Sequence, residues 1–224
     1  MQKLEQPPVP APPNVNIVFH WLGRFYFWLT GWKVVGAPPG YPKFVATAGP
    51  HTSNWDGLMM LCSSWIVRCQ IDWMVKNELF VGPIGWFLGS IGGVPIDRRR
   101  GFNTVDQMLE QFENRERLAL AIPPEGTRKK TDHWKTGFYW IAHEADVPIF
   151  IAYIDYERKE VNFESGYWKT TGDIEVDMPI IWEHFGKGKA LYPEKVSDMR
   201  LRPLHLKRPK SRRTATEETE TEQN

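Results

Sequence analysis

The residues best suited to chemistry are His51 and Asp56, in the run His-Thr-Ser-Asn-Trp-Asp that follows a short apolar stretch. Positions five apart on one helix point about 140° away from each other, so these side chains can meet only if His51 precedes the helix. Ser53 is a favourable N-cap, which places Asp56 in the first turn, where its carboxylate can lean back and accept a hydrogen bond from the imidazole. Such a pair could act as a general base, with Asp56 orienting His51.

A purely structural role for Asp56 fits the same spacing. Ser53-x-x-Asp56 is close to a capping box, and a carboxylate in the first helical turn is favoured by the helix dipole. The spacing excludes neither interpretation, so the choice depends on residues elsewhere in the chain.

Two further polar runs each follow a predicted strand. They are Gly93-Val94-Pro95-Ile96-Asp97-Arg98-Arg99-Arg100 and Pro123-Pro124-Glu125-Gly126-Thr127-Arg128. Because ligands of open parallel sheets bind beyond the carboxyl ends of the strands, we expect His51, Arg98 and residues 125–128 to share one edge. Arg98 and Arg128 carry planar forks suited to a phosphate, and Gly126 would let the backbone approach one. A solvated charge run and a simple turn are the alternatives.

The chain between these runs alternates short apolar stretches with helical patterns, which is typical of a mostly parallel sheet covered by helices. Strands are predicted at 44–48, 71–75, 93–96, 118–122 and 147–155, with an edge strand at 161–169. Helices are predicted at 55–69, 81–89, 104–115, 135–145 and 177–185.

The N-terminal segment 15–32 is apolar and rich in Trp and Phe. His20 and Arg24 interrupt it, so it is marginal as a membrane-spanning helix. The aromatic content favours a helix lying in the membrane interface, and an ordinary core helix is an equal alternative.

Composition narrows the class of protein. A net charge of +1 with 25% charged residues is typical of a globular protein and not of a nucleic-acid binder. Cys62 and Cys69 cannot make a disulfide framework or a zinc cluster, so we expect a reducing compartment. The first residues lack the layout of a secretory signal, so export is not expected.

The order of the motifs resembles that of the glycerolipid acyltransferases, typified by 1-acylglycerol-3-phosphate acyltransferase. The matching motifs are His-x4-Asp, Gly-x-x-x-Ile-Asp-Arg, Pro-Glu-Gly-Thr-Arg and Val-Pro-Ile, which together span about residues 48–152. The chain departs from the family pattern at Pro50, Pro123, Lys129 and Ile151, which leaves the identity of the acceptor open.

The resemblance implies roles for individual residues. His51 would be the general base and Asp56 the residue that orients it. The remaining motif residues would bind the acceptor's phosphate and shape the site: Arg98, Glu125, Gly126, Thr127 and Arg128. No metal or cofactor is implied. The co-substrate would be acyl-CoA or acyl carrier protein, and the acceptor a lysophospholipid.

The residue patterns and the resemblance together predict an architecture and a location. The expected fold is α/β, with a mostly parallel central sheet flanked by helices and an aromatic N-terminal membrane-interface helix. Residues 1–36 would form the Pro-rich start and that helix, residues 37–199 the acyltransferase domain, and residues 200–224 a mobile tail that is first basic and then acidic. The protein would associate with the cytoplasmic face of a membrane.

Three alternatives remain at this point. The enzyme could acylate a different acceptor, such as an aminoacyl lipid, a glycolipid or a pigment sugar. The protein could bind membrane lipid without turnover. It could also be a metal-dependent hydrolase that uses His51, Asp56 and His143 as ligands, although these lack a recognised ligand spacing.

Overall fold

The computed structural model describes residues 1–5, 7, 13–36, 40–97 and 104–202. Within these residues a nine-stranded sheet is flanked by helices on both faces. The strands are β1 (Gln2–Leu4), β2 (Lys33–Val35), β3 (Lys43–Gly49), β4 (Asp72–Lys76), β5 (Gly93–Ile96), β6 (Leu118–Ala121), β7 (Ile149–Asp155), β8 (Glu160–Asn162) and β9 (Tyr167–Lys169). The helices are α1 (Ile17–Thr30), α2 (Asn54–Ile66), α3 (Gly82–Ser90), α4 (Thr104–Asn114), α5 (Gly137–Glu144) and α6 (Ile174–Phe185).

The centre of the sheet consists of parallel strands in the order β7-β3-β6-β4-β5. Both β8 and β9 run antiparallel to β7. The predicted α/β fold, with a central sheet flanked by helices, is therefore confirmed.

Side chains of β3 alternate between two cores, as expected for a strand buried on both faces. Phe44 and Ala46 join the core that contains buried residues of α1 and α2. Val45 joins the core that contains buried residues of α4, α5 and α6. Helices therefore cover both faces, and the carboxyl edge of the parallel strands is left for the connecting loops.

That edge is where the motif residues lie. The turn after β3 leads through His51 into α2, and the loop after β6 contains Glu125. Since β3 and β6 are hydrogen-bonded neighbours, the two loops emerge side by side. The register of the sheet therefore brings two of the predicted motifs together.

The prediction of a single edge strand at 161–169 was wrong. Two short strands, β8 and β9, occupy this region, because the chain turns between them at Gly166, where φ is +72°. Neither is an edge, since β2 pairs with β8 and β1 pairs with β9. Both β1 and β2 were missed because three residues are too few to carry a periodic pattern.

Helix α1 packs on α2 through a glycine contact. A Cβ on Gly23 would lie 2.9 Å from the Cys62 carbonyl oxygen, so only glycine permits this approach. The helix has 14 residues, or about 21 Å of length. Within the described part of the chain, no helix is both long and apolar enough to cross a membrane.

Most of the predicted tail at 200–224 lies outside the described residues. Its first residues contact the body, since Arg202 Nη2 donates to both oxygens of Asp132, at 2.8 and 2.9 Å. Arg200 Nε also donates to the Asp132 carbonyl.

Candidate active site

His51 lies in the turn between β3 and α2, before the helix begins. Its Nδ1 is 3.4 Å from Asp56 Oδ2. The imidazole is 24% exposed, whereas the Asp56 side chain is 2% exposed. With Nδ1 facing the carboxylate, Nε2 is the nitrogen available to a substrate.

The Asp56 carboxylate serves the helix cap and the histidine at the same time. Its Oδ2 accepts the N–H groups of Thr52 and Ser53 at 2.6 and 2.7 Å, and its Oδ1 accepts the Ser53 hydroxyl at 3.0 Å. Ser53 Oγ in turn accepts the Trp55 N–H at 3.0 Å, which completes a capping box. The structural and catalytic interpretations of Asp56 are therefore compatible.

Hydrogen bonding determines the charge of Asp56. Burial alone would raise its pKa, but donors from His51, Tyr156, Ser53 and Thr52 outweigh it, and the net pKa lies below the ordinary value. Asp56 is therefore an anion at neutral pH, as a residue that orients a histidine must be.

Replacing Asp56 with asparagine should destabilise the protein in a pH-dependent way. Because the folded-state pKa is lowered, the carboxylate contributes stability above about pH 4, and this contribution is lost as the pH falls through the folded pKa. We expect Asp56→Asn to cost about 1–3 kcal/mol in unfolding free energy at pH 7 and less near pH 3. Urea unfolding at both pH values measures this.

Asp198→Asn is the matched control for that experiment. Asp198 is exposed and lies 3.7 Å from Lys130 and from Arg200, a surface arrangement worth about 1 kcal/mol or less. An equal cost of Asp56→Asn at pH 7 and pH 3 would contradict the role of the ionised carboxylate.

Glu125 anchors the histidine through the main chain. Its carboxyl is buried, and Oε1 accepts the His51 N–H at 3.0 Å. Burial raises the pKa of this carboxyl, against the opposing effect of the His51 N–H. The Glu125 carboxyl therefore helps to fix the position of the His51 main chain.

Gly126 is required by the shape of the next turn. Its φ is +62°, and a Cβ would lie 2.7 Å from Lys135 Cδ. The Gly126 N–H donates to the Pro123 carbonyl at 3.0 Å, and the Lys135 N–H donates to the Pro124 carbonyl at 2.9 Å. The glycine therefore allows the loop after β6 to turn beneath the Lys135 side chain.

The other predicted phosphate ligands are Thr127, Arg128 and Arg98. Thr127 is partly buried and its Oγ1 accepts the Lys129 N–H at 3.3 Å, while Arg128 is exposed on the same loop. Arg98 lies outside the described residues. The strand before it, β5, ends beside β4 at the same edge of the sheet.

The residues of the hydrolase hypothesis do not come together. His143 lies on α5, across the sheet from α2, where Nδ1 is 2.9 Å from Thr170 Oγ1 and the ring stacks on Tyr139. Among the described residues, no group of three or more His, Cys, Asp or Glu side chains could hold a metal ion.

Two residues of the site were missed by sequence reasoning. The Tyr156 hydroxyl donates to Asp56 Oδ1 at 2.7 Å, and Gly49 ends β3 in close contact with Phe185. Tyr156 directly follows β7, so its place at the carboxyl end of a predicted strand was a usable signal. The close contact at Gly49 has no such signal.

A His-Asp pair at the carboxyl edge of a mostly parallel sheet, supported by the Glu125 loop, defines the class of protein. A family model described as acyltransferase matches residues 43–155, about half of the chain. The protein therefore belongs to the acyltransferase family, and the resemblance seen in its motifs is confirmed.

The chain is also similar to two individual proteins. The chain is 26% identical over 175 residues to the 1-acyl-sn-glycerol-3-phosphate acyltransferase of Saccharomyces cerevisiae, which covers 74% of this chain and 57% of the yeast protein. The chain thus spans less than two thirds of the length of that relative. Among solved structures, the 1-acyl-sn-glycerophosphate (LPA) acyltransferase PlsC from Thermotoga maritima aligns with a TM-score of 0.48 at 21% identity, covering 65% of each chain.

Proposed function

We propose that this protein transfers a fatty acyl group from acyl-CoA or acyl carrier protein to the hydroxyl of a lysophospholipid such as 1-acylglycerol-3-phosphate, in phospholipid biosynthesis. Membership of the acyltransferase family supports the reaction type, and the named relatives support the acceptor class. The observation that carries the proposal is the contact between His51 Nδ1 and the ionised Asp56 carboxylate, which leaves Nε2 for the acceptor.

The reaction follows from this geometry. Neutral His51 accepts the proton of the acceptor hydroxyl at Nε2 as the oxygen attacks the thioester carbonyl, and Asp56 stabilises the imidazolium that forms. The tetrahedral intermediate then collapses, the C–S bond breaks, and the thiolate takes the proton from the imidazolium. The products are the acylated lipid and the free thiol.

A covalent acyl-enzyme is not part of the proposal. Ser53 is the serine nearest in sequence to His51, and its hydroxyl donates to Asp56 while its oxygen accepts the Trp55 N–H. A hydroxyl held in a helix cap is poorly placed as a nucleophile, so direct transfer between the two substrates is the simpler mechanism.

Recognition of the acceptor's phosphate is assigned to the loop after β6. Arg128 offers a permanently charged fork at the edge where His51 lies, with Thr127 beside it. We propose that Arg98 completes this cluster from the neighbouring loop. Glu125 and Gly126 fix the shape of the site.

We propose that the protein works at a membrane surface, to which α1 binds. Helix α1 exposes seven large hydrophobic side chains: Ile17, Val18, Trp21, Leu22, Phe25, Trp28 and Leu29. Exposed apolar side chains of this size, Trp above all, favour the interface of a bilayer over water. Both the acyl chain and the lysolipid are themselves found there.

Helix α3 extends the apolar surface on the same face. The β4-α3-β5 connection crosses the sheet in the same direction as β3-α2-β4, and parallel crossovers are right-handed, so α3 lies on the face that α2 covers. Val81, Ile84, Trp86 and Phe87 are exposed in or beside α3. We place this surface on the cytoplasmic face of the membrane, because Cys62 and Cys69 are both free thiols.

Substituting serine for Trp21, Phe25 and Trp28 together should weaken binding to phospholipid vesicles about a hundredfold, since burial of each side chain in the interface contributes roughly 1 kcal/mol or more. Sedimentation with vesicles of neutral and of anionic lipid measures this. Val176→Ser removes a side chain that is also exposed, on α6 across the sheet, and should leave binding unchanged. Equal binding by the triple variant and wild type would place the membrane contact elsewhere.

Acyl transfer by the purified protein tests the reaction. The protein is supplied in vesicles with labelled acyl-CoA or acyl carrier protein and a panel of lysophospholipids and phosphate-free acceptors. Transfer to 1-acylglycerol-3-phosphate supports the proposal in full, and transfer only to another acceptor keeps the mechanism and changes the substrate. Folded protein that transfers to no acceptor would instead support lipid binding without turnover.

A further inference from the structure

Tyr156 holds Asp56 from outside the motif that contains it. Its hydroxyl donates to Asp56 Oδ1 at 2.7 Å. The other contacts of the carboxylate in the described structure come from residues 51–53, which precede α2. Tyr156 follows β7, so its hydrogen bond links the His51–Asp56 pair to the central sheet, across one hundred residues of sequence.

The sheet fixes where Tyr156 lies. In the parallel pairing of β3 with β7, Gly49 stands opposite Tyr153, so the residue that follows β7 lies alongside the turn after β3. The Tyr156 N–H donates to the Lys189 carbonyl at 2.9 Å, and its ring meets Trp32 edge-on at 5.0 Å. Both main chain and ring are thus held in place.

The Tyr156 hydroxyl carries its proton at physiological pH and can therefore donate to Asp56. Burial raises the pKa of Tyr156, and the neighbouring Asp56 carboxylate raises it further, so the phenol stays protonated across the physiological range. A hydrogen bond from a neutral hydroxyl to a carboxylate is among the stronger ones in proteins.

We propose that Tyr156 is a positioning residue for the His51–Asp56 pair, an inference that rests on the proposed function. A carboxylate rotates easily about its last torsion, because the energy wells of an sp³–sp² bond are broad. With the Tyr156 hydroxyl and Ser53 Oγ on Oδ1, the other oxygen is directed at His51. Loss of the hydroxyl would remove the shorter of the two hydrogen bonds to Oδ1 and weaken the hold of the carboxylate on the imidazole.

Tyr156→Phe tests this directly, because it removes the hydroxyl and retains the ring that packs against Trp32. We expect kcat to fall about tenfold, with KM for donor and acceptor unchanged, because the hydroxyl acts on the general base and touches neither substrate. Tyr41→Phe is the matched control. The Tyr41 hydroxyl donates to the exposed Glu5 carbonyl at 3.2 Å, and its removal should leave kcat unchanged.

A double-mutant cycle separates positioning from general structural damage. In an Asp56→Ala background, Tyr156→Phe should cause no further loss beyond about twofold, because the acceptor of its hydroxyl is already gone. A further tenfold loss in that background would show that Tyr156 acts independently of Asp56 and would overturn the proposal.

A readout independent of activity distinguishes failure of this inference from failure of the proposed function. The Tyr156 hydroxyl helps to lower the pKa of Asp56, so Tyr156→Phe should raise that pKa in a carboxylate titration followed by NMR. An unchanged Asp56 pKa together with an unchanged kcat would overturn the inference. If wild-type protein is inactive on every acceptor, the proposed function fails. A raised Asp56 pKa in the variant would in that case still support the hydrogen bond from Tyr156 to the carboxylate.

Discussion

Replacing His51 with alanine is expected to reduce acyl transfer roughly a hundredfold or more, because the acceptor hydroxyl then loses the base that takes its proton. The fold should survive the change. The main-chain N–H of residue 51 still donates to Glu125 in the variant, and the imidazole is partly exposed, so its loss leaves little buried space. Rates at saturating donor and acceptor, with circular dichroism on the same samples, measure both effects.

His184→Ala is the control for loss of an imidazole as such. His184 lies on α6, where its ring is tilted against that of Trp168. No step of the proposed reaction involves it. Its replacement should leave the rate within about twofold of wild type, because the partly buried ring takes no part in the proposed proton transfer. A folded His51→Ala protein that keeps more than about a tenth of the wild-type rate would exclude His51 as the general base.

The geometry of the His51–Asp56 pair could be predicted because it depends on local rules. Helix periodicity required His51 to precede the helix, and Ser53 gave the N-cap. The structure begins α2 at Asn54 with Ser53 as its cap. Local rules left open whether Asp56 caps the helix or contacts the histidine, and in the structure the carboxylate makes both contacts.

The contacts of Glu125 could not be predicted, because they depend on strand order. Its burial and its bond to the His51 N–H follow from β6 lying directly beside β3, with Ala46 opposite Ala121. A sequence pattern predicts strands without giving their neighbours. The resemblance predicted that Glu125 lies at the site. Its hydrogen bond to the His51 N–H became visible only with the structure, because it depends on the register of β3 and β6.

The same limit explains Tyr156 and the short strands. The predicted strand at 147–155 places Tyr156 at a carboxyl end, but no local pattern indicates that β7 lies directly beside β3, which is why Tyr156 meets Asp56. Strands β1 and β2 form only against β9 and β8, so their structure comes from tertiary pairing. Elements with strong internal periodicity could be predicted, such as α4, which is described over Thr104–Asn114 where 104–115 was predicted.

Replacing Gly49 with alanine is expected to damage both stability and activity. An added Cβ would lie 2.4 Å from Phe185 Cε1, and Phe185 is 1% exposed, with its ring 4.8 Å from that of Trp134, so it has no room to withdraw. Overpacking of this kind costs about 1–3 kcal/mol and at times more. The same Cβ would lie 3.2 Å from Glu125 Oε1, the atom that holds the His51 N–H.

Gly57→Ala supplies the matched comparison, because the same change is made eight residues later where there is space. Apart from its chain neighbours and the backbone of α2 itself, no atom lies within 4 Å of a Cβ at Gly57, which is exposed. Alanine in a helix interior is favoured over glycine by about 0.5–1 kcal/mol, so this variant should be more stable than wild type and equally active. Urea unfolding and acyl transfer on both variants decide the matter. If Gly49→Ala unfolds at the same urea concentration as Gly57→Ala, then Phe185 gives way to the added Cβ, and close packing at the end of β3 is not needed for stability.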